Sequence, residues 1–124
     1  MSTRPLISVV DDDVSVREAL QSLLRSVGFA VRVFASAEEF LKSDYLRDTG
    51  CLILDVRMPG MSGIELHRHL VAGHSEVPVI FITAHGSDRE TRSRAIRDGA
   101  VDYLSKPFSE DALLNAVRTA LGPK

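Results

Sequence analysis

Short apolar runs alternate along the chain with longer segments in which apolar residues recur at helical spacing. Five runs rich in Val, Ile, Leu and Phe predict β-strands at residues 6–10, 30–34, 51–54, 78–82 and 100–104. Helical patterns fill the gaps between these runs, as Leu20, Leu23 and Val27 illustrate. The alternation predicts an α/β fold with a mostly parallel sheet, whose strands are joined by right-handed helical crossovers and whose two faces are covered by helices.

The composition of each run predicts its place in the sheet. The first, third and fourth runs are almost continuously apolar, as is typical of central strands, whereas Arg32 interrupts the second run and Asp102 the fifth. Edge positions for the second and fifth strands fit the order 2-1-3-4-5 of a flavodoxin-like, doubly wound (βα)5 sheet. In this order ligands bind in the crevice at the carboxyl ends of strands 1 and 3, where the winding direction reverses.

Serine residues mark the expected helix starts. Four Ser-x-x-Glu sequences match the capping box, in which both side chains bind free backbone N–H groups. They are Ser15 with Glu18, Ser36 with Glu39, Ser62 with Glu65, and Ser87 with Glu90. Asp13, beside the first helix start, is interpreted as a cap rather than as a metal ligand.

Composition and charge limit the class of protein. The 124 residues, 44% of them hydrophobic, suit one domain, expected over residues 1–121 with residues 122–124 as a tail or the start of a linker. A formal charge of −2 gives no general attraction for nucleic acid or for an anionic membrane. Ser8 and Asp11 interrupt the first apolar stretch, and Cys51 lies within a buried run. We therefore expect a cytoplasmic protein without a membrane span.

Polar residues follow four of the predicted strands, so they are expected to meet at one edge of the sheet. Asp11 and Asp12 follow the first strand and Asp55 the third. Their oxygens suit a hard cation such as Mg²⁺ (or Mn²⁺). Clustered acids are expected to raise the pKa of at least one carboxyl group when no metal is bound, and Lys106 should oppose this rise.

The same residues suit phosphoryl transfer. An Asp carboxylate can attack phosphorus to form an aspartyl-phosphate, and a metal, an ammonium group and a hydroxyl group can neutralise the transferring oxygens. Asp55 is the favoured acceptor, because the loop at residues 56–63 contains two glycines that permit close backbone approach to a bound group. Lys106 and Thr83 are then expected to contact the phosphoryl oxygens.

Four motifs together resemble the response-regulator receiver family, and their amino-acid sequences are most similar to those of receivers of the FixJ-like type. They are VVDDD at residues 9–13, DVRMPGMSG at 55–63, ITA at 82–84 and GAVDYLSKPF at 99–108. The motifs occur in the same order along the chain as in the family and lie at the expected strand ends. The match covers essentially the whole chain.

The resemblance implies a role for each motif. Asp55 would accept a phosphoryl group from a sensor histidine kinase, and Mg²⁺ would be held by Asp12, Asp55 and the backbone carbonyl of Arg57, with Asp11 assisting through water. Thr83 and Lys106 would bind the phosphoryl oxygens. Lys106–Pro107 would be a cis peptide, and Tyr103 would be the aromatic switch residue.

The family also implies a regulatory domain rather than an enzyme, with only self-catalysed phosphotransfer and autodephosphorylation. A homodimer through the fourth helix, the fifth strand and the fifth helix is possible after phosphorylation. The output is expected to be transcriptional, without direct contact between this domain and nucleic acid. The fourth helix offers few apolar residues to the core, Ala95 and Ile96, so it is the expected moving part. Phosphorylation would draw in Thr83 and vacate space for Tyr103.

Two other functions fit part of the sequence. A haloacid-dehalogenase-like phosphatase would use Asp11 as its nucleophile, although no later acidic motif or cap segment supports this. A constitutive interaction module would keep the fold without cycling phosphate. The histidines add no further site: His67 and His69 point to different faces of one helix, where both are expected to be solvated.

Overall fold

The computed structural model describes residues 5–84 and 89–122, in which strands and helices alternate. In chain order the elements are β1 (Leu6–Val10), α1 (Val14–Ser26), β2 (Ala30–Phe34), α2 (Ala37–Lys42), β3 (Thr49–Asp55), α3 (Gly63–Ala72), β4 (Val79–Thr83), α4 (Arg89–Arg97), β5 (Asp102–Ser105) and α5 (Glu110–Leu121). None of the helices within these described ranges is both long enough and apolar enough to span a bilayer.

All strand pairs are parallel, and the sheet order is β2-β1-β3-β4-β5. The predicted flavodoxin-like topology, including both edge strands, is confirmed. Alternate side chains of β3 face opposite layers: Leu52 and Leu54 pack with α2, α3 and α4, whereas Cys51 and Ile53 pack with α1 and α5. Helices therefore cover both faces, which leaves the carboxyl edge of the sheet open for a site.

The bounds of β3, β4 and β5 differ from prediction; β4 is shifted by one residue, to Val79–Thr83, and the starts of β3 and β5 have identifiable causes. β3 begins at Thr49, before the apolar run, because the Thr49 hydroxyl hydrogen-bonds the Ser8 hydroxyl at 2.7 Å and donates to the Tyr45 carbonyl at 2.6 Å. β5 begins two residues later than predicted, because the N–H of Ala100 donates back to the carbonyl of Ala95 at the end of α4. Both shifts come from tertiary or helix-end hydrogen bonds that an apolar pattern does not contain.

The helix starts partly match the predicted capping boxes. Ser62 and Glu65 form a complete box at α3. The Ser15–Glu18 box is wrong, because Asp13 caps α1 by accepting from the Ser15 N–H at 2.8 Å. Asp13 is thus a cap, as interpreted.

Two further helix starts use serine. At α2, Ser36 accepts from the Glu39 N–H as predicted, but Glu39 Oε1 accepts from the N–H of Ala35 rather than from that of Ser36. At α5, Ser109 is a cap outside the capping-box pattern, since no glutamate follows at the third helical position. The predicted Ser87–Glu90 box lies outside the described residues.

Candidate functional site

Three carboxylates meet at the carboxyl edge of the sheet. Asp11, Asp12 and Asp55 each place one oxygen within 4.8 Å of the others. Asp11 is fully buried, Asp55 is 5% exposed, and Asp12 is open to solvent. Pairing of Val10 with Leu54 sets the ends of β1 and β3 side by side. The Asp11 N–H donates to the Phe34 carbonyl and Asp11 Oδ1 accepts from the Asp13 N–H, which holds the turn after β1 in place. Oxygen ligands of this kind, one of them open to water, fit a small divalent cation.

Lys106 provides the positive charge of the cluster. Its Nζ lies 3.0 Å from Asp11 Oδ2 and 3.8 Å from Asp55 Oδ1. The Lys106 backbone N–H donates to the Thr83 carbonyl at 2.7 Å, which fixes the end of β5 against the end of β4. The Lys106–Pro107 peptide bond is cis, the geometry that the resemblance implied.

The ionisation of Asp55 is strongly perturbed. Burial is the largest cause that raises its pKa, to about 7, and the negative charge of Asp11 adds to the rise. The charge of Lys106 and the nearby backbone N–H of Arg57 act in the opposite direction and lower the pKa of Asp55. The expected rise in one carboxyl pKa is therefore found, although burial contributes more than repulsion between acids.

A tight loop follows Asp55. The Gly63 N–H donates to the Val56 carbonyl at 3.0 Å and so closes the loop at the start of α3. A Cβ on Gly63 would lie only 2.1 Å from the Asp55 carbonyl oxygen, so a side chain at this position requires the backbone to move. The glycines of this loop permit close backbone approach, as the sequence indicated, and here the approach is between α3 and Asp55 itself.

Thr83 and Tyr103 lie on neighbouring strands beside this cluster. Thr83 ends β4, is 1% exposed and is opposite Ser105 in the parallel register. Tyr103 is buried, and its ring centroid lies 6.1 Å from that of Phe81. The structure thus brings Asp11, Asp12, Asp55, Thr83 and Lys106 to one edge, with Tyr103 packed inside the neighbouring layer.

A family model described as the response regulator receiver domain matches residues 7–118. The chain belongs to the response regulator receiver family. Among curated relatives, the response regulator protein TmoT of Ectopseudomonas mendocina is 50% identical over 116 residues, which are 94% of this chain and 52% of TmoT. The transcriptional regulatory protein FixJ of Azorhizobium caulinodans is 46% identical over 116 residues, 94% of this chain and 54% of FixJ.

Solved structures agree with this assignment. The response regulator StyR is 51% identical with a TM-score of 0.88, covering 96% of this receiver and 60% of the StyR chain. FixJ-N is 38% identical with a TM-score of 0.85, covering 97% of this receiver and 95% of that chain. The predicted FixJ-like receiver is confirmed, and the phosphatase alternative finds no support. The receiver spans about half the length of the curated relatives it matches.

The prediction for His67 is wrong. His67 is 5% exposed rather than solvated, and its ring meets Phe81 edge-on at 5.4 Å between centroids. Burial lowers the pKa of His67, while the charge of Asp98 opposes this shift. The signal was present in the sequence, since Gly63, Leu66 and Leu70 are spaced so that residue 67 falls on the same buried stripe of α3. His69 is exposed, as expected.

Proposed function

We propose that this receiver takes a phosphoryl group from a sensor histidine kinase onto Asp55 and thereby controls a transcriptional output. The observation that carries the proposal is the cluster itself: three carboxylates within 4.8 Å of one another, with the Lys106 ammonium 3.8 Å from Asp55. Asp55 is the proposed acceptor, because its carboxylate lies within 4.8 Å of both other acids and 3.8 Å from Lys106 Nζ, and the glycine-containing loop follows it directly. Family membership supplies the kinase as the phosphoryl donor.

The donor set fits Mg²⁺, or Mn²⁺ in its place. Asp12, Asp55 and the backbone carbonyl of Arg57 would hold the ion, with Asp11 assisting through water. The bound cation would neutralise charge on the transferring phosphoryl oxygens. The raised pKa of Asp55 fits this role, because a cation favours the ionised carboxylate that the transfer needs.

In the proposed step a carboxylate oxygen of Asp55 forms a bond to phosphorus while the bond from phosphorus to the kinase histidine nitrogen breaks. Lys106 and the Thr83 hydroxyl stabilise the phosphoryl oxygens. Water later hydrolyses the aspartyl-phosphate, which returns the Asp55 carboxylate and releases phosphate. These two self-catalysed reactions are the extent of the chemistry we propose for this domain.

An apolar groove beside the site supports kinase docking. It has a volume of about 350 Å³ and lies between α1 and the segment from Lys106 to Glu110. Val16, Leu20 and Phe108 line it. Because Lys106 lines both the groove and the acidic cluster, a helix of the kinase seated here would bring its phosphohistidine close to Asp55.

The output side of the proposal involves α4, β5 and α5. Thr83 would move toward the phosphoryl group, and Tyr103 would take up the vacated space. α4 has one buried residue, Ala95, so few packing contacts oppose its displacement. This face would then form a homodimer or contact an output domain, without binding nucleic acid itself. We propose residues 1–121 as the receiver and residues 122–124 as the start of a linker, with the cytoplasm as the place of action.

The test is to treat the purified chain with acetyl phosphate and Mg²⁺ while recording its mass and oligomeric size. We expect one added phosphoryl group, mapped to Asp55 and absent in Asp55→Asn. Asp44→Asn, an exposed acid on another part of the surface, is the matched control. Label on the peptide containing Asp11, or label that survives in Asp55→Asn, would contradict the assignment.

A further inference from the structure

Glu38 connects α2 to the loop that follows Asp55. Its Oε2 accepts a hydrogen bond from the Met61 N–H at 3.0 Å, across 23 positions of the chain. Hydrogen bonds from the backbone N–H of Glu38 itself and from that of Met61 lower the pKa of this exposed carboxyl group. The charged acceptor is therefore present throughout the neutral pH range, and charge-assisted hydrogen bonds are the stronger kind.

The backbone of the loop is shaped for this contact. Gly60 has a φ of +74°, and a Cβ built on it would lie 2.7 Å from Glu38 Oε2. A residue with a side chain would be strained there and would also displace the carboxylate. The glycine thus serves the approach of Glu38 as well as the turn.

Val56, at the start of this loop, donates its N–H to the Ile82 carbonyl of β4 at 3.0 Å, and the hydrogen bonds described farther along the loop, apart from that to Glu38, are local. The Gly63 N–H binds the Val56 carbonyl, and the Ser62 N–H binds Glu65 Oε1 at 2.8 Å, so both anchors lie within the loop or in the first turn of α3. Glu38 differs because it belongs to another helix. It fixes the loop relative to the rest of the domain rather than relative to itself.

The loop in turn contacts the reacting group. The backbone N–H of Arg57 is near enough to the Asp55 carboxyl group to lower its pKa, and the carbonyl of Arg57 is the backbone ligand assigned under the proposed function. Movement of the segment from Arg57 to Met61 would therefore move two backbone groups away from Asp55 and its cation. Partners that orient a metal ligand directly commonly alter metal affinity by about 10- to 100-fold, and a smaller effect is expected from Glu38 because it acts through the loop backbone.

We propose that Glu38 is a positioning residue of the phosphorylation site, which holds the loop after Asp55 in the geometry that binds the cation. The inference rests on the proposed function, because it assigns a role toward the same cation. Glu38 touches neither the reacting atoms nor the cation. It acts through Met61 and the loop backbone.

The test compares three variants of the whole chain. Glu38→Ala removes both the charge and the acceptor, whereas Glu38→Gln removes the charge but keeps an oxygen that can accept from Met61. Glu39→Ala is the matched control, since Glu39 carries the same charge on the same helix and accepts from the N–H of Ala35 instead. The measurements are Mg²⁺ affinity by calorimetry and, in metal-free protein, hydrogen exchange of the Met61 amide by NMR.

We expect Glu38→Ala to weaken Mg²⁺ binding by about 3- to 10-fold and to speed exchange of the Met61 amide by a similar or larger factor. Glu38→Gln should lie between the parent and Glu38→Ala, because its neutral oxygen accepts a weaker hydrogen bond from Met61. Glu39→Ala should stay within about 2-fold of the parent in both measurements. Equal weakening in all three variants would assign the effect to net charge and overturn the inference. Unchanged affinity in Glu38→Ala would overturn it as well.

The failure of the proposed function has a different signature. If the parent chain bound no Mg²⁺ and accepted no phosphoryl group, the proposed function would fail, and the assigned role of Glu38 with it. The Met61 amide in metal-free protein would still show whether the contact orders the loop. If the parent binds Mg²⁺ and only the variant comparison fails, the positioning role alone is lost.

Discussion

Lys106 Nζ donates to Asp11 Oδ2 at 3.0 Å and so joins the two ends of the chain across 95 positions. Asp11 is completely buried, and a buried carboxylate without a cation nearby would be costly. In the metal-free protein Lys106 therefore has a structural role, which it performs before any phosphoryl group arrives. The ammonium group is closer to Asp11 than to Asp55, at 3.0 Å against 3.8 Å.

Replacing Lys106 by Met should destabilise the metal-free protein near pH 7. The change leaves Asp11 buried without its cation, and we expect the free energy of unfolding to fall by about 2 kcal/mol. Urea unfolding in the presence of a chelator measures this. Adding Asp11→Asn to the Lys106→Met variant should restore part of the loss, because residue 11 is then no longer a buried charge without its cation. A double variant that is destabilised by the sum of the two single changes would contradict the pairing.

The raised pKa of Asp55 predicts how stability changes with pH. The pKa of this group is about 7 in the folded protein against an ordinary value of 3.8, so the folded state holds the proton more tightly. This contribution to stability is present below pH 4 and is lost as pH rises through 7. Asp55→Asn should therefore be more stable than the parent at pH 8 in chelator, by on the order of 2 kcal/mol.

Mg²⁺ should reverse this difference in stability between the parent and Asp55→Asn. The cation competes with the proton for Asp55, so the apparent Mg²⁺ affinity of the parent should rise between pH 5.5 and about 8, through the pKa of about 7. Saturating Mg²⁺ should then raise the melting temperature of the parent but not that of Asp55→Asn. Thermal unfolding with Mg²⁺ and with chelator at both pH values gives the comparison. Equal shifts in both proteins would place the cation elsewhere.

Two glycines at opposite ends of α3 should respond differently to the same substitution. Gly63→Ala would place a Cβ 2.1 Å from the Asp55 carbonyl oxygen, so we expect a loss of about 3 kcal/mol or more and slower phosphorylation. Gly73→Ala meets its nearest atoms at 3.6 Å and 3.7 Å, ordinary contact distances, and Gly73 has a φ of −86°. It should be neutral or slightly stabilising. Chemical unfolding and acetyl phosphate labelling of both variants test this.

The sheet could be predicted because apolar runs report burial directly. Arg32 and Asp102 marked the edge strands, and the order of the strands brought Asp11, Asp55 and Lys106 to one edge. These predictions depend on patterns within single elements and on the connectivity rules of parallel sheets. They needed no knowledge of side-chain contacts.

Contacts between different helices, strands and loops could not be predicted from such patterns. The hydrogen bond from Met61 to Glu38 joins two segments whose proximity follows only from the packed structure. The choice of Asp13 over Ser15 as the cap of α1 is a competition between adjacent residues that motif spacing cannot decide. His67 is different, because the helical spacing of Leu66 and Leu70 does place it on the buried stripe. The prediction gave more weight to the polar character of histidine than to this helical spacing.

The burial of His67 gives the last prediction. Its pKa is lowered by burial, so below pH of about 6.5 the unfolded chain takes up a proton more readily than the folded protein does. The contribution of His67 to stability is therefore present above that pH and is lost as pH falls toward the folded pKa. His67→Phe keeps a ring edge-on to Phe81 but cannot be protonated.

We expect His67→Phe to lose less free energy of unfolding than the parent between pH 7.5 and about 5. His69→Gln, a change at an exposed position of the same helix, is the matched control. Asp98, which lies near His67, forms an ion pair with Arg68 in which Oδ2 and Nε are 3.9 Å apart. Asp98→Asn should increase the acid sensitivity, because it removes the charge that favours protonated His67 in the folded state. Identical pH profiles for the parent and His67→Phe would contradict the lowered pKa of His67 in the folded protein.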